Sequence, residues 1–371
     1  MRRVVMALAA PIGALLLTLI ISSIALWAFG SNPFSAYSDM LGHASKLETQ
    51  VDIWNRATPL YLSAVAAALG FRMNLFNIGV EGQYLIAALV AAQVGGLIDL
   101  PQALHIVVIF FVAMAVGALW AGLAGMLNVT RGVNVVISTI MLNYIAVSGF
   151  MAWWVQAWQA DLRDGESLSA TNLGTKPIPE SGVLPDITGF VEFFTGDIRE
   201  NNPVSGMLVI AILVGVLYHV LLNRTTFGFD LRSSGINPFA ARAGGVQPKR
   251  MIVIAMMLSG GIAGLVGLVE VFEIEKFRPN QIQGLGFAGI GVALLGRNHP
   301  VGMAGAALLF AFLDISSGIL QSTQTASREI VTIMQGIVLL AAVVAYEIVR
   351  RVREREEARA TAEALAEGVA A

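Results

Sequence analysis

The chain is built from apolar stretches, most close to twenty residues long, separated by short polar segments. Candidate spans lie near 4–29, 57–76, 78–98, 104–127, 133–155, 205–222, 251–271, 285–296, 300–320 and 330–349. About 20 apolar residues carry a helix across the hydrocarbon layer of a bilayer, and inside that layer the backbone must satisfy its own polar groups. The pattern predicts an all-α polytopic membrane protein with about ten transmembrane helices. Composition agrees, since 56% of residues are hydrophobic and 13% charged, against about 25% charged in a soluble domain. Arg2 and Arg3 precede the first stretch as they would in a signal peptide. Val4 to Phe29 is too long for the cleavable core of about 7–15 residues, so it reads as an uncleaved span. Residues 1–349 then form one transmembrane domain, and 350–371 a charged tail.

Cytoplasmic loops carry the excess of Lys and Arg. With the N-terminus inside, Arg2, Arg3, Arg72, Arg131, Arg224, Arg232, Arg242, Lys249, Arg250, Arg297, Arg350, Arg351, Arg353, Arg355 and Arg359 fall in the cytoplasm, 15 of 23 basic residues. Lys46, Arg56, Arg163, Lys176, Arg199, Lys276, Arg278 and Arg328 fall outside, in loops that hold most of the acids. Both termini are therefore expected in the cytoplasm. The outer loop 159–203 is anionic and proline-rich, and reads either as a docking surface or as a connector. The inner loop 223–250 has a helix-start signal at Asn237-Pro238 and a stop at Gly244-Gly245, which predicts a short helix from Phe239 to Ala243. Small residues recur every fourth position at Gly117, Ala121 and Gly125, and at Ser259, Ala263 and Gly267. Spans 2–5 and 7–10 begin on opposite sides, so these rows are consistent with an inverted repeat, or with ordinary close packing of membrane helices.

Several function classes are excluded. A net charge of −2 leaves no electrostatic footprint for nucleic acid. No cysteine is present, so thiolate metal sites and cysteine nucleophiles are absent. The four histidines are scattered, no zinc-binding pattern exists and no phosphate-binding P-loop is found, so neither a metal site nor a catalytic residue is expected. Gly284-Leu285-Gly286-Phe287-Ala288-Gly289 spells a dinucleotide fingerprint inside an apolar span with no strand before it, and reads instead as close packing or a break in a helix.

The most informative run is Asn74-Leu75-Phe76-Asn77-Ile78-Gly79-Val80-Glu81-Gly82-Gln83. A carboxylate near the bilayer centre costs roughly 3 kcal/mol on insertion scales, so Glu81 either faces a solute path or serves the fold by pairing with a base or capping a helix. Gly79 and Gly82 permit a kink there, and Asn74, Asn77, Glu81, Gln83 and Asn143 become candidate path residues for a polar solute. Asn143, Asp314 and Gln335 read as interhelical hydrogen-bonding groups or as ligand contacts. Trp153, Trp154 and Trp158 read as an interfacial belt or as a surface on which a base or sugar ring stacks at the entrance.

Four segments in order resemble the permeases of ATP-binding-cassette importers of the branched-chain amino acid and simple-sugar class. They are the run 74–83, Met141-Leu142-Asn143-Tyr144, Gly235-Ile236-Asn237-Pro238-Phe239-Ala240-Ala241-Arg242-Ala243-Gly244, and Leu258-Ser259-Gly260-Gly261-Ile262-Ala263-Gly264. Within that class the chain looks most like nucleoside-importer permeases. The resemblance implies a bacterial inner-membrane subunit with no ATPase site of its own, and a coupling segment at Gly235, Asn237, Ala240, Ala241 and Gly244. It also implies three partners: a second permease, an ATPase with two fused cassettes that binds ATP and Mg, and an extracytoplasmic binding protein. Import of a ribose-type sugar by the same machine is the first alternative. An ion-coupled secondary transporter using Glu81 or Asp314 is the second.

Overall fold

The computed structural model describes residues 16–160, 174–196, 198, 202–279, 284–322, 330, 332–338, 340, 341 and 344. Arg2, Arg3, Arg163, Arg199, Arg328 and the tail 350–371 lie outside the described residues. Every regular element among the described residues is helical. The chain divides into two units, Leu47–Ala311 and a second made of residues 1–46 and 312–371.

In the second unit, α1 (Leu16–Ala28) and α2 (Pro33–Ala44) meet at 116°. Gly30 turns the chain with φ 80°, and Asn32 caps α2 by accepting from the Phe34 N–H at 3.0 Å. The Tyr37 hydroxyl sits 3.2 Å from Ser23 Oγ and donates to the Leu19 carbonyl, which staples the bend. Hydropathy gave no sign of α2 or of this corner.

The large unit comprises α3 (Leu47–Phe71), α4 (Val80–Gly95), α5 (Gln102–Arg131), α6 (Val135–Tyr144), a π-helical segment (Ile145–Met151), α7 (Ala152–Ala160), α8 (Thr188–Thr195), α9 (Met207–Arg224), α10 (Thr226–Ile236), α11 (Pro238–Ala243), α12 (Pro248–Val266), α13 (Leu268–Ile274), α14 (Leu285–Leu295) and the first half of α15 (Pro300–Ser322). Five helical segments among the described residues are long and apolar enough to cross a bilayer, six if α1 and α2 count as one bent span. The expected spans 78–98 and 285–296 are α4 and α14, with 16 and 11 residues. At 1.5 Å per residue they reach roughly 24 and 17 Å, short of the hydrocarbon thickness of about 30 Å. The expected span 57–76 begins at Leu47 instead and ends at Phe71. The polar residues of its first turns, which depress hydropathy, are bonded across the bundle: Asn55 donates to the Pro203 carbonyl at 2.8 Å and accepts from Ser205 N–H at 3.0 Å.

After its first turn α4 carries apolar residues on every face, broken only by Gln93 near its end, the signature of a helix surrounded by protein. Thirteen of its 16 residues are buried, which makes it the centre of the bundle. α5 and α9 instead turn large apolar side chains outward, among them Phe111, Leu119, Ile212 and Leu213. That outward face suits lipid.

The two small-residue rows do different work. A Cβ on Gly117 would strike the Gly260 carbonyl, one on Gly260 would strike Gly117 and Ala121, and one on Gly264 would strike the Ala113 carbonyl. α5 and α12 therefore cross backbone to backbone. Ser259 and Gly267 face away from that crossing: Ser259 donates to the Ala66 carbonyl of α3 at 2.6 Å, and Gly267 lies against Tyr84 and Ala88 of α4.

At one end of this unit the segment 174–182 folds over the helix termini. Thr175 N–H donates to the Phe277 carbonyl and Ile178 N–H to the Glu275 carbonyl. Fully buried His105 lies 3.0 Å from both Ser181 Oγ and the Gly95 carbonyl, joining this segment to the end of α4 and the start of α5.

Gly260→Val is expected to force α5 from α12 and to destabilise the protein by about 1–3 kcal/mol or more. Gly122→Ala meets only the flexible Met257 side chain, at 3.1 Å. Thermal unfolding midpoints in detergent should fall by several degrees for the first variant and stay within error for the second; equal midpoints would refute the locked crossing.

Candidate functional site at the helix break

After α3 ends at Phe71 the chain turns through Asn74, whose φ is 57°, and re-enters the bundle as α4. Asn77 is fully buried and organises this turn. Its Oδ1 accepts from the Gly79 N–H at 3.0 Å and from Gln83 Nε2 at 2.9 Å, and its Nδ2 donates to Gln83 Oε1 at 3.0 Å and Ser259 Oγ at 2.9 Å. Asn143 of α6 grips the other side, donating from Nδ2 to the Ile78 carbonyl and accepting at Oδ1 from the Gly82 N–H, each at 2.9 Å. Gly82 makes this approach possible, because a Cβ there would stand 2.8 Å from Asn143 Oδ1.

Glu81, 7% exposed, points across to the start of α14. Its Oε1 accepts from the Gly284 N–H at 2.7 Å and the Tyr84 hydroxyl at 2.9 Å, and its Oε2 from the Gly286 N–H at 2.8 Å. The carboxylate thus occupies the positive end of a second helix and satisfies N–H groups that have no partner within that helix. Of the two structural roles open to Glu81 in the sequence, capping is the one seen, and the cap belongs to a helix some 200 residues away. The fingerprint-like run provides the two donors, while its third glycine, Gly289, lets α14 lie on Ser63, where a Cβ would collide. Ser63 Oγ in turn donates to the Leu285 carbonyl at 2.9 Å.

α4 and α14 therefore start side by side inside the bundle and run apart. α4 ends beside His105. Just beyond α14, the Asn298 carbonyl accepts from Arg72 Nη2 and the Tyr218 hydroxyl, each at 2.9 Å. Two broken helices meeting at their N-termini form the kind of scaffold on which transporters place polar solutes. Asn77, Glu81, Gln83 and Asn143 come together at this break, with their polar atoms engaged by the chain itself. Asn74 is separate and exposed at the turn. Ser63, Tyr84, Ser259, Gly284 and Gly286 complete the site and were not singled out for it from sequence. Tyr84 had a local cue, since it lies one helical turn from Glu81.

The candidate coupling residues form a second feature. Asn237 caps α11, its Oδ1 accepting from the N–H groups of Phe239 at 3.0 Å and Ala240 at 3.1 Å. The expected short helix is present one residue longer, and α10 precedes it unannounced by hydropathy. Ala241 is buried, whereas Ile236 and Phe239 are 86% and 82% exposed and Ala240 is exposed beside them. Gly244 closes the helix and Gly245, with φ 87°, reverses the chain. Gly235 lies directly on the turn after α3, where a Cβ would be 2.7 Å from Met73 Cα and 3.0 Å from the Arg72 carbonyl. The segment carrying α11 thus touches the loop that Asn77 organises.

A sequence model for the permease component of branched-chain amino acid transport systems matches residues 50–343, which include both the helix break and α11. The chain belongs to this permease family. It is 31% identical to the guanosine ABC transporter permease protein NupP of Bacillus subtilis, over 91% of this chain and 93% of the relative. It is 31% identical to the nucleoside ABC transporter permease protein NupB of Lactococcus lactis, over 82% of each. The glucose ABC transporter permease protein TsgB13 of Haloferax volcanii is 30% identical, over 89% of this chain and 85% of the relative. No solved structure matches the chain. Family membership and the apolar helices together make this permease a membrane-embedded protein.

In the Glu81→Gln permease an amide N–H₂ would face donors that now meet a carboxylate. The expected loss is about 1–3 kcal/mol, the cost of leaving buried groups unsatisfied. A thermal midpoint equal to that of the wild-type protein would remove the capping role.

Proposed function

We propose that this chain is the permease subunit of an ATP-driven importer and forms part of the translocation path for nucleosides. The observation that carries this reading is likeness across most of the chain to two permeases named for guanosine and nucleosides. Likeness to a glucose permease favours a second reading, the same machine carrying a simple sugar, ribose-type by the sequence resemblance. In either case residues 1–349 form the transmembrane domain and 350–371 a cytoplasmic tail. The chain passes the bacterial inner membrane ten times with both termini inside, α4 and α14 being short passes wrapped by other helices. The path runs past the break, and Asn77, Glu81, Gln83 and Asn143 hold the backbone that lines it.

The chain supplies no ATPase chemistry. A partner ATPase with two fused cassettes holds ATP and Mg, a second permease completes the path, and an extracytoplasmic binding protein delivers the solute. The contact with the ATPase is the segment Gly235–Gly244. Ile236, Phe239 and Ala240 present a small apolar face flanked by Arg242, Lys249 and Arg250, suited to a groove with an acidic rim. Motion of α11 reaches the path through Gly235 and the Arg72–Met73 turn. An ion-coupled mechanism through Glu81 would need that carboxylate to load and release a cation, while its oxygens are taken by two backbone N–H groups and a hydroxyl.

Reconstituted with its ATPase, second permease and binding protein, the chain should take up labelled guanosine only with ATP, unaffected by ionophores. Unlabelled nucleosides should compete, and glucose and ribose should not. Competition by a sugar alone would select the second reading, and ATP-independent uptake abolished by an ionophore would overturn both. Phe239→Asp should weaken binding of the ATPase about tenfold or more, as expected for an exposed aromatic anchor, in a pull-down from detergent with the remaining subunits present.

A further inference from the structure

α8 presents an aromatic face that no part of the described chain covers. Phe190, Phe193 and Phe194 are 69%, 83% and 70% exposed, at spacings that place them on one side of the helix. Their rings touch each other, with centroids 5.5 Å apart for Phe190 and Phe194 and 5.1 Å for Phe193 and Phe194. Together they expose roughly 400 Å² of apolar surface, enough to mark an interaction site. The opposite side is fixed to the protein. Ile187 and Val191 pack on buried Val51, Ile198 and Val204, the Ile187 N–H donates to the Val204 carbonyl, and the Val204 N–H donates to Thr188 Oγ1 at 3.0 Å. Asp186 accepts from the Thr188 N–H at 2.9 Å, and hydrogen bonding from the Thr188 side chain and then its backbone holds the carboxyl below the usual range. The helix is therefore held with the phenylalanines turned away.

Two observations choose between a lipid surface and a soluble protein. First, the face carries no charge. Glu192 is the one ionisable residue of α8, and its carboxylate is folded back to accept the Ile198 N–H at 3.1 Å. A docking surface for a soluble protein is rimmed by polar and charged groups. Second, the helix is seated beside the start of a membrane span, through the side opposite the phenylalanines. Val191 lines a groove of about 710 Å³ together with Leu208, Ala211 and Ile212 of α9, and Val209, Ile212 and Leu213 of α9 are exposed. α8 is therefore level with the first turn of α9, where that span enters the hydrocarbon.

We infer that α8 is an interfacial anchor, with Phe190, Phe193 and Phe194 inserted at the boundary between lipid headgroups and acyl chains. The anchor pins α8 and the residues 202–205 bonded to it at the bilayer surface, and through Ser205 and Asn55 it is tied to α3. It requires only that the chain sit in a bilayer and does not depend on which solute crosses.

The chain contains no cysteine, so single cysteines carrying an environment-sensitive fluorophore report one site each. The full chain is reconstituted in phosphatidylcholine and phosphatidylglycerol vesicles as Phe193→Cys and Phe190→Cys, with Glu180→Cys as the aqueous reference and Ile212→Cys as the lipid-facing one. Labels at 193 and 190 should resemble that at 212: blue-shifted, and quenched about threefold or more strongly by a nitroxide on an upper acyl carbon than the label at 180, with iodide showing the reverse order. Labels at 193 and 190 that iodide quenches as strongly as the label at 180 would overturn the anchor. Shielding that arises only when the soluble binding protein is added would assign the face to that protein instead.

Discussion

Inside an apolar bundle no water is available to satisfy the N–H groups at the start of a helix, and this protein begins two helices side by side within its bundle. Their satisfaction governs the remaining architecture. One carboxylate, Glu81, belongs to the first turn of α4 and accepts from the backbone of Gly284 and Gly286 at the start of α14. One amide, Asn77, accepts from the Gly79 N–H and exchanges two bonds with Gln83. Asn77 holds the start of α4 and Glu81 ties it to the start of α14, so the two helix starts are fixed together. The long helices α3 and α12 pack against the same point through Ser63 and Ser259, which donate to the Leu285 and Ala66 carbonyls.

The arrangement also explains why so few polar residues serve so apolar a chain. A buried charge is expensive unless the protein hydrates it in place of water. Here two backbone dipoles and the Tyr84 hydroxyl do so. Glycine is needed on both sides, since a side chain at Gly286 would press on Glu81 and one at Gly82 on Asn143.

Much of the helical order was legible because hydropathy and capping are local properties. The short helix α11 could be placed from Asn237-Pro238 and Gly244-Gly245 alone. The run from Asn74 to Gln83 announced a break through its glycines and its stranded carboxylate. The identity of Glu81's partners was not legible, because Gly284 and Gly286 are remote in sequence and periodicity carries no information about which helix end meets which. α2 and α10 escaped notice for a related reason: both are of middling hydrophobicity, and α2 depends on a corner that Gly30 and Tyr37 create in three dimensions. The outward turn of the phenylalanines of α8 was likewise hidden, since it is set by Val51 and Val204 beneath the helix.

At Gly117, Gly260 and Gly264 the backbones of α5 and α12 meet with almost no side-chain layer between them. Side chains act as bearings: rotamer changes let one helix slide a little over another. Removing that layer welds the pair, so the two helices can only travel together. Whatever rocking this permease undergoes has to be taken up where the chain is already interrupted, at the turn from Arg72 to Gly79, at Gly267 between α12 and α13, and in the π-helical segment that follows Asn143.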